Sequence, residues 1–387
     1  MKRLFEVFWV SLKLGLTSFG GPVAHLGYFH HEYVRRRKWL DDQSYADLVA
    51  LCQFLPGPAS SQVGIGIGTM RAGLVGGVVA WIGFTLPSVL ALILFALFLQ
   101  GDALGDVGWI HGLKLVAVAI VAHAIIGMGQ KLAPDRGRAT IVILALAVAL
   151  LWPSSITQIS IIIVAGLIGL LLFKKEQAEM KHESAVIPTP IHPTIAIISL
   201  LLFFSLLLIL PWLRDLHQGI ALFDSFYRAG ALVFGGGHVV LPLLQAEIVP
   251  TGWVSEETFL AGYAATQAVP GPLFTFAAYL GTIINGWGGA LLATVAIFLP
   301  AFLLVIGMLP FWDQLRKRAP VRCALMGINA AVIGILIAAF YHPIWTSAIF
   351  SPWDFVIVTI LYGMLAFWKL PPWTIVVTGA LAGTILI

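Results

Sequence analysis

Four short motifs in this chain combine glycine, proline and glutamine where a membrane helix would be expected to run on unbroken. Phe19-Gly20-Gly21-Pro22 and Gln53-Phe54-Leu55-Pro56-Gly57-Pro58 lie in the first half, Phe234-Gly235-Gly236-Gly237 and Gln267-Ala268-Val269-Pro270-Gly271-Pro272 in the second. Proline removes an N–H and clashes with the preceding turn, and glycine lets the chain turn sharply and approach a ligand. A helix that restarts after such a break points free N–H groups and the positive end of its dipole at the break, which suits an anion. Gln53 and Gln267 stand three residues before the prolines and can donate to an oxyanion. Candidate anion-binding positions are therefore Gly20, Gly21, Gln53, Pro56, Gly57, Pro58, Gly235, Gly236, Gln267, Pro270, Gly271 and Pro272.

Other polar residues recur with these motifs. Lys13 and Arg228 each precede their Gly-Gly pair by seven residues, and both are candidates to offset the charge of a bound anion. Glu32 and Glu247 fall at matching places, as candidates for handling a coupling proton. His25 and His238 follow their Gly-Gly pairs at different offsets and join the candidate binding set. Lys114, His123 and Asn329 lie within apolar stretches, where helix–helix hydrogen bonding explains them as well as transport does. No metal-ligand spacing, P-loop or nucleophile motif is present, so the sequence calls for no cofactor and argues against an enzyme.

The motifs repeat at nearly fixed distance: Gly20 and Gly235 are 215 apart, Trp39 and Trp253 are 214, Pro56 and Pro270 are 214, and Pro87 and Pro300 are 213. The elements around them must be membrane helices. Hydrophobic residues make up 59% of the 387 and charged residues 10%, with mean hydropathy +0.96, whereas a soluble domain carries roughly 25% charged residues. The apolar runs are continuous rather than alternating, which excludes a β-barrel and predicts an all-α integral membrane protein. The net charge of +4 resides in short clusters between apolar runs and does not point to nucleic acid.

The expected organisation is an N-terminal transporter repeat (1–173), a charged cytoplasmic linker (174–192), a connector helix (193–213) and a C-terminal repeat (214–387). The loop at 35–38 is basic while its counterpart is Ser255-Glu256-Glu257, and the bias reverses again at Asp102 and Asp106 against Arg316-Lys317-Arg318. This reversal predicts inverted topology, with four crossings per half, a connector, and the Gly/Pro-broken segments entering and leaving on one side. Short Gly/Ala-rich faces can pack within the chain or between two copies in a homodimer.

The stretch from Phe19-Gly20-Gly21-Pro22 and His25 through Glu32 and Trp39-Leu40 to the Pro56-Gly57-Pro58 motif resembles the chromate transporter family in its long two-repeat form. Phe234-Gly235-Gly236-Gly237-His238 through Pro270-Gly271-Pro272 is similar to that family's C-terminal repeat. The resemblance implies a multi-pass protein of the bacterial inner membrane that exports chromate, a sulfate-like divalent oxyanion, driven by an ion gradient rather than ATP. The alternatives are a passive oxyanion channel, or a transporter of sulfate or another anion.

Overall fold

The computed structural model describes residues 1–19, 21–100, 108–173, 191–312 and 318–386, so Gly20 and most of the expected linker and of the Arg316-Lys317-Arg318 cluster lie outside it. Among the described residues the chain is helical, with no strand. The first repeat contains α1 (Lys2–Thr17), α2 (Gly21–Phe29, continued by a π-helical stretch over His30–Arg36), α3 (Asp42–Phe54), α4 (Ala59–Gln100), α5 (Gly108–Leu132), α6 (Arg136–Leu151) and α7 (Ser155–Leu172). After α8 (Pro193–Leu213), the second repeat contains α9 (Gln218–Ala231), α10 (Val240–Ile248), α11 (Glu256–Ala268), α12 (Phe276–Met308), α13 (Ala319–Ala339), α14 (Pro352–Ala366) and α15 (Pro372–Leu386).

Each Gly-Gly motif folds its segment back on itself. Lys13 on α1 reaches Glu32 at 3.5 Å, Ser11 reaches Tyr33 at 3.4 Å, and Arg37 reaches Glu6 at 3.0 Å, so α1 and the α2 segment run antiparallel. Arg228 on α9 meets Glu247 on α10 at 3.2 Å in the same way. The turns need glycine: Gly21 and Gly235 both have φ +78°.

A second fold-back lies inside each long helix. Ala72-Gly73 breaks α4 and Asn285-Gly286 breaks α12, with φ +70° at Gly73 and +52° at Gly286. A Cβ on Gly68 would lie 2.7 Å from that of Ala80, and one on Gly281 would lie 2.8 Å from that of Ala293. Residues twelve apart lie ~18 Å apart along a straight helix, so the two limbs are folded against each other. Matching N-caps open α3 and α11: Asp41 accepts from Ser44 N at 2.7 Å and Ser255 from Thr258 N at 3.2 Å. That cap bond holds the solvent-exposed Asp41 carboxyl below its ordinary range.

The repeats interlock with inverted orientation. The second limbs of α4 and α12 pack antiparallel, with Trp81 5.7 Å from Phe298 and the later Val89 and Ile93 clustered with the earlier Ala290, while Gln100 donates to the Ile283 carbonyl at the end of the first limb of α12 at 3.1 Å. Equivalent helices that run in opposite directions are related by a two-fold axis across them, the arrangement of an inverted repeat. The exchange is reciprocal. Gly108 and Gly112 of α5 lie against Gly383 and Gly379 of α15, and Gly327 of α13 lies against Ala165 and Gly169 of α7. Small residues allow such close backbone approach.

Among the described residues, five helices are long and apolar enough to cross a membrane, including the connector α8. Helices α6, α7, α14 and α15 have 16, 18, 15 and 15 residues. At 1.5 Å per residue that is ~22–27 Å, short of the ~30 Å hydrocarbon thickness. Large apolar side chains on the outer faces, such as Leu201, Leu208 and Trp212, are exposed as a lipid solvent requires. Gly271 has φ +106°, and a Cβ there would meet Ser88 Oγ at 2.9 Å. Gly271→Ala is therefore expected to destabilise the fold by about 1–3 kcal/mol, read as a lower thermal midpoint in detergent. Gly27, with nothing within 4 Å of an added Cβ, should accept alanine without loss.

Candidate functional site

The breaks of the two repeats meet. The Gly57 amide donates to the Val233 carbonyl at 2.7 Å, and the Gly271 amide donates to the Ser18 carbonyl at 3.0 Å. Each Pro-Gly-Pro turn thus binds the residue two positions before the Gly-Gly pair of the opposite repeat. The Pro56 carbonyl is satisfied within its own repeat by Gln62 Nε2 at 2.8 Å. In a solvent without water, backbone groups freed by a break must find such partners.

Against the Gly271–Ser18 bond lies a cavity of about 290 Å³. Its walls are Ser18, Gly21, Pro22 and His25 at the α1–α2 turn, Ile120 and His123 of α5, and His238 after the second Gly-Gly pair. Thr266, Gln267, Val269, Gly271 and Leu273 line it from the second Pro-Gly-Pro turn, and Leu365, Lys369, Leu370 and Pro372 from the α14–α15 turn. No carboxylate is among these lining residues. Ser18 Oγ and Gln267 Nε2 are buried and have no hydrogen-bond partner among the described residues. A buried polar group without a partner is costly and calls for an occupant, water or ligand.

The imidazoles are held at their back edges. His25 Nδ1 lies 3.3 Å from Ser60 Oγ, with its ring edge-on to Phe84 at 5.6 Å. His238 Nδ1 lies 2.7 Å from the Tyr263 hydroxyl. The start of α2 at Gly21 and Pro22 puts a helix N-terminus on the cavity wall. Hydroxyl, amide and imidazole donors, one ammonium and a helix start with no acid among them form an environment suited to an anion.

Of the sequence candidates, Gly21, His25, His238, Gln267 and Gly271 line this cavity, while Gly20 lies outside the described residues. Gln53, the repeat partner of Gln267, is exposed and does not line it. Pro56, Gly57 and Pro58 form the other Pro-Gly-Pro turn, with Gly57 in the inter-repeat bond; Gly235, Gly236, Pro270 and Pro272 shape the turns but are not lining residues.

The structure places Lys13 and Arg228 away from the cavity, at the open ends of the fold-backs. Glu32 is buried and bound by Arg36 at 3.0 Å, Arg37 at 2.8 Å and Lys13 at 3.5 Å. Arg228 binds Asp224 and, at 3.2 Å, Glu247, with Arg214 3.6 and 3.8 Å from the same two carboxylates. These clusters fasten the limbs of each fold-back.

Sequence reasoning passed over Ser18, Lys369 and Thr266 and left His123 open between helix–helix hydrogen bonding and transport. Ser18 carried a usable signal, since it immediately precedes the first Gly-Gly motif. Lys369 did not: it reaches the cavity only because α14 and α15 fold across from the other motifs.

A family model described as "Chromate transporter" matches residues 5–170 and 220–384. The chain is 28% identical to a chromate transport protein of Pseudomonas aeruginosa over 86% of this chain and 79% of that one. It is 28% identical to a probable chromate transport protein of Synechococcus elongatus over 100% of this chain and 95% of that one. For a chromate transport protein of Cupriavidus metallidurans the figures are 27%, 99% and 93%. No solved structure matches.

The ion clusters yield a contrast in stability. Arg228→Ala leaves Asp224 and Glu247 buried together with Arg214 alone, and is expected to cost about 3–5 kcal/mol. Lys13→Ala leaves Glu32 with both arginines and removes a half-exposed partner, an expected loss of about 1 kcal/mol or less. Thermal unfolding of the two variants in detergent checks the difference.

Proposed function

The chain belongs to the chromate transporter family, and from that premise we propose that it is a secondary active transporter exporting chromate or a similar divalent oxyanion across a bacterial inner membrane, driven by an ion gradient. The observation that carries this reading is the acid-free cavity where the breaks of both repeats meet. Chromate is a tetrahedral dianion whose four oxygens accept hydrogen bonds. Gln267 Nε2 and Ser18 Oγ, both without partners among the described residues, would donate to it. The start of α2, with His25 and His238, adds further donors around the same volume.

Inverted repeats support alternating access. When two halves of like fold pack through an approximate two-fold axis, exchanging their conformations turns a site from one side of the membrane to the other. The fold-backs are the segments that would move. Their turns lie at the cavity, and their open ends are fastened by the Glu32 and Glu247 clusters. This arrangement favours a structural role for those two carboxylates over the proton-handling role their spacing suggests.

The test is chromate accumulation in inside-out vesicles, with and without an imposed proton gradient and with sulfate as competitor. The expected result is uphill, gradient-dependent accumulation that falls by about tenfold or more in Gln267→Ala, the loss of a hydrogen bond to a charged group. Equilibration without accumulation under any gradient would instead indicate a channel, and sulfate competition would measure how far the site separates the two dianions.

A further inference from the structure

Lys369 differs from the cations that fasten the helices of this chain to one another. Lys13, Arg36, Arg37, Arg71, Lys114 and Arg214 each lie within 4.0 Å of a carboxylate, whereas Lys369 has no such partner among the described residues. It is also the sole lining residue of the cavity with a permanent positive charge. Its backbone is left-handed, with φ +53°, a conformation that side-chain-bearing residues adopt at an energetic cost. The turn that imposes it is held by Trp368 N donating to Gly363 O at 3.2 Å and Leu370 N to Met364 O at 3.0 Å. Glycine or asparagine would fit that backbone more easily. The matching turn of the first repeat, Pro153-Ser154-Ser155, carries no cation, so this charge is supplied once, on one side of the two-fold arrangement.

We propose that Lys369, an exposed residue on the cavity wall, is its charge-selecting residue, whose ammonium makes the site favour tetrahedral dianions over monoanions of the same shape. The proposal rests on reading the cavity as an oxyanion site. Hydrogen bonds from Gln267 and Ser18 see tetrahedral oxygens in either kind of anion, and so discriminate by shape. A fixed charge acts differently, because its attraction is proportional to the charge of the ligand. If removing it weakens a monoanion by some factor, it weakens a dianion by the square of that factor. A variant that merely loosens the turn weakens both anions equally, and a lysine that only extends its ammonium toward lipid head groups changes neither.

The experiment measures binding of chromate and of perchlorate, a tetrahedral anion of single charge, to the purified full chain at about pH 8, where chromate is doubly charged. The variants are Lys369→Gln, Lys369→Gly, which suits the left-handed turn while removing the charge, and Lys369→Arg, which keeps it. With thermal midpoints checked, both neutral variants are expected to weaken perchlorate about threefold and chromate about tenfold, the squared relation for one charge across a hydrated gap. Lys369→Arg should stay close to wild type. Equal losses for the two anions, no loss for either, or an arginine variant that behaves like glutamine would overturn the assignment while wild-type chromate binding leaves the oxyanion reading standing. Wild-type protein that binds neither anion overturns the oxyanion reading and the assignment together.

Discussion

Two backbone hydrogen bonds, Gly57 to Val233 and Gly271 to Ser18, are the constraint around which the molecule is arranged. A helix broken inside a membrane leaves amides and carbonyls that water cannot satisfy. Here each broken repeat supplies the partner for the other. A Pro-Gly-Pro turn offers a free amide at its glycine, and the stretch before a Gly-Gly pair offers a free carbonyl. The Gly57 and Gly271 amides find no partner within their own repeats, so the motifs must meet at the interface between halves. Both glycines also need φ near +110°, at +117° and +106°, which side-chain-bearing residues rarely adopt.

Packing follows from that exchange. One apolar cluster joins the fold-backs of the first repeat to Leu303, Val305 and Trp312 of the second and to Ala196 and Phe203 of the connector. A larger cluster joins the fold-backs of the second repeat to α5, α6 and α7 of the first. Helices of opposite repeats approach through Gly112 with Gly379 and through Gly169 with Gly327, where any larger side chain would meet backbone. The two repeats therefore share their cores, and a movement of one fold-back is felt by the other half.

Charge is sorted by the same geometry. At the open ends of the fold-backs cations and carboxylates neutralise one another, which allows Glu32, Glu247 and Asp224 to be buried. At the closed ends acids are absent from the lining, and Lys369, the imidazoles, Gln267 and Ser18 remain. The separation between paired charge and unpaired donors distinguishes what holds the fold-backs from what can hold a solute.

The sequence by itself determined the membrane class, the helical fold, the two repeats and the places where helices break, because composition and Gly/Pro spacing act locally and recur about 214 positions apart. It also pointed to Gly21, His25, His238, Gln267 and Gly271, since these sit in or beside the motifs. What it could not decide was which members of a repeated pair face the same space. Gln53 and Gln267 look alike in sequence, yet one is exposed and the other lines the cavity. Lys13 and Arg228 look like anion partners until Glu32 and Glu247 are seen folded against them. Lys369 carries no signal in the sequence and reaches the cavity only through the α14–α15 turn. Repeat symmetry fixes positions within a half, but the packing of one half on the other decides which side chains are neutralised and which stay free, and only the tertiary structure contains that.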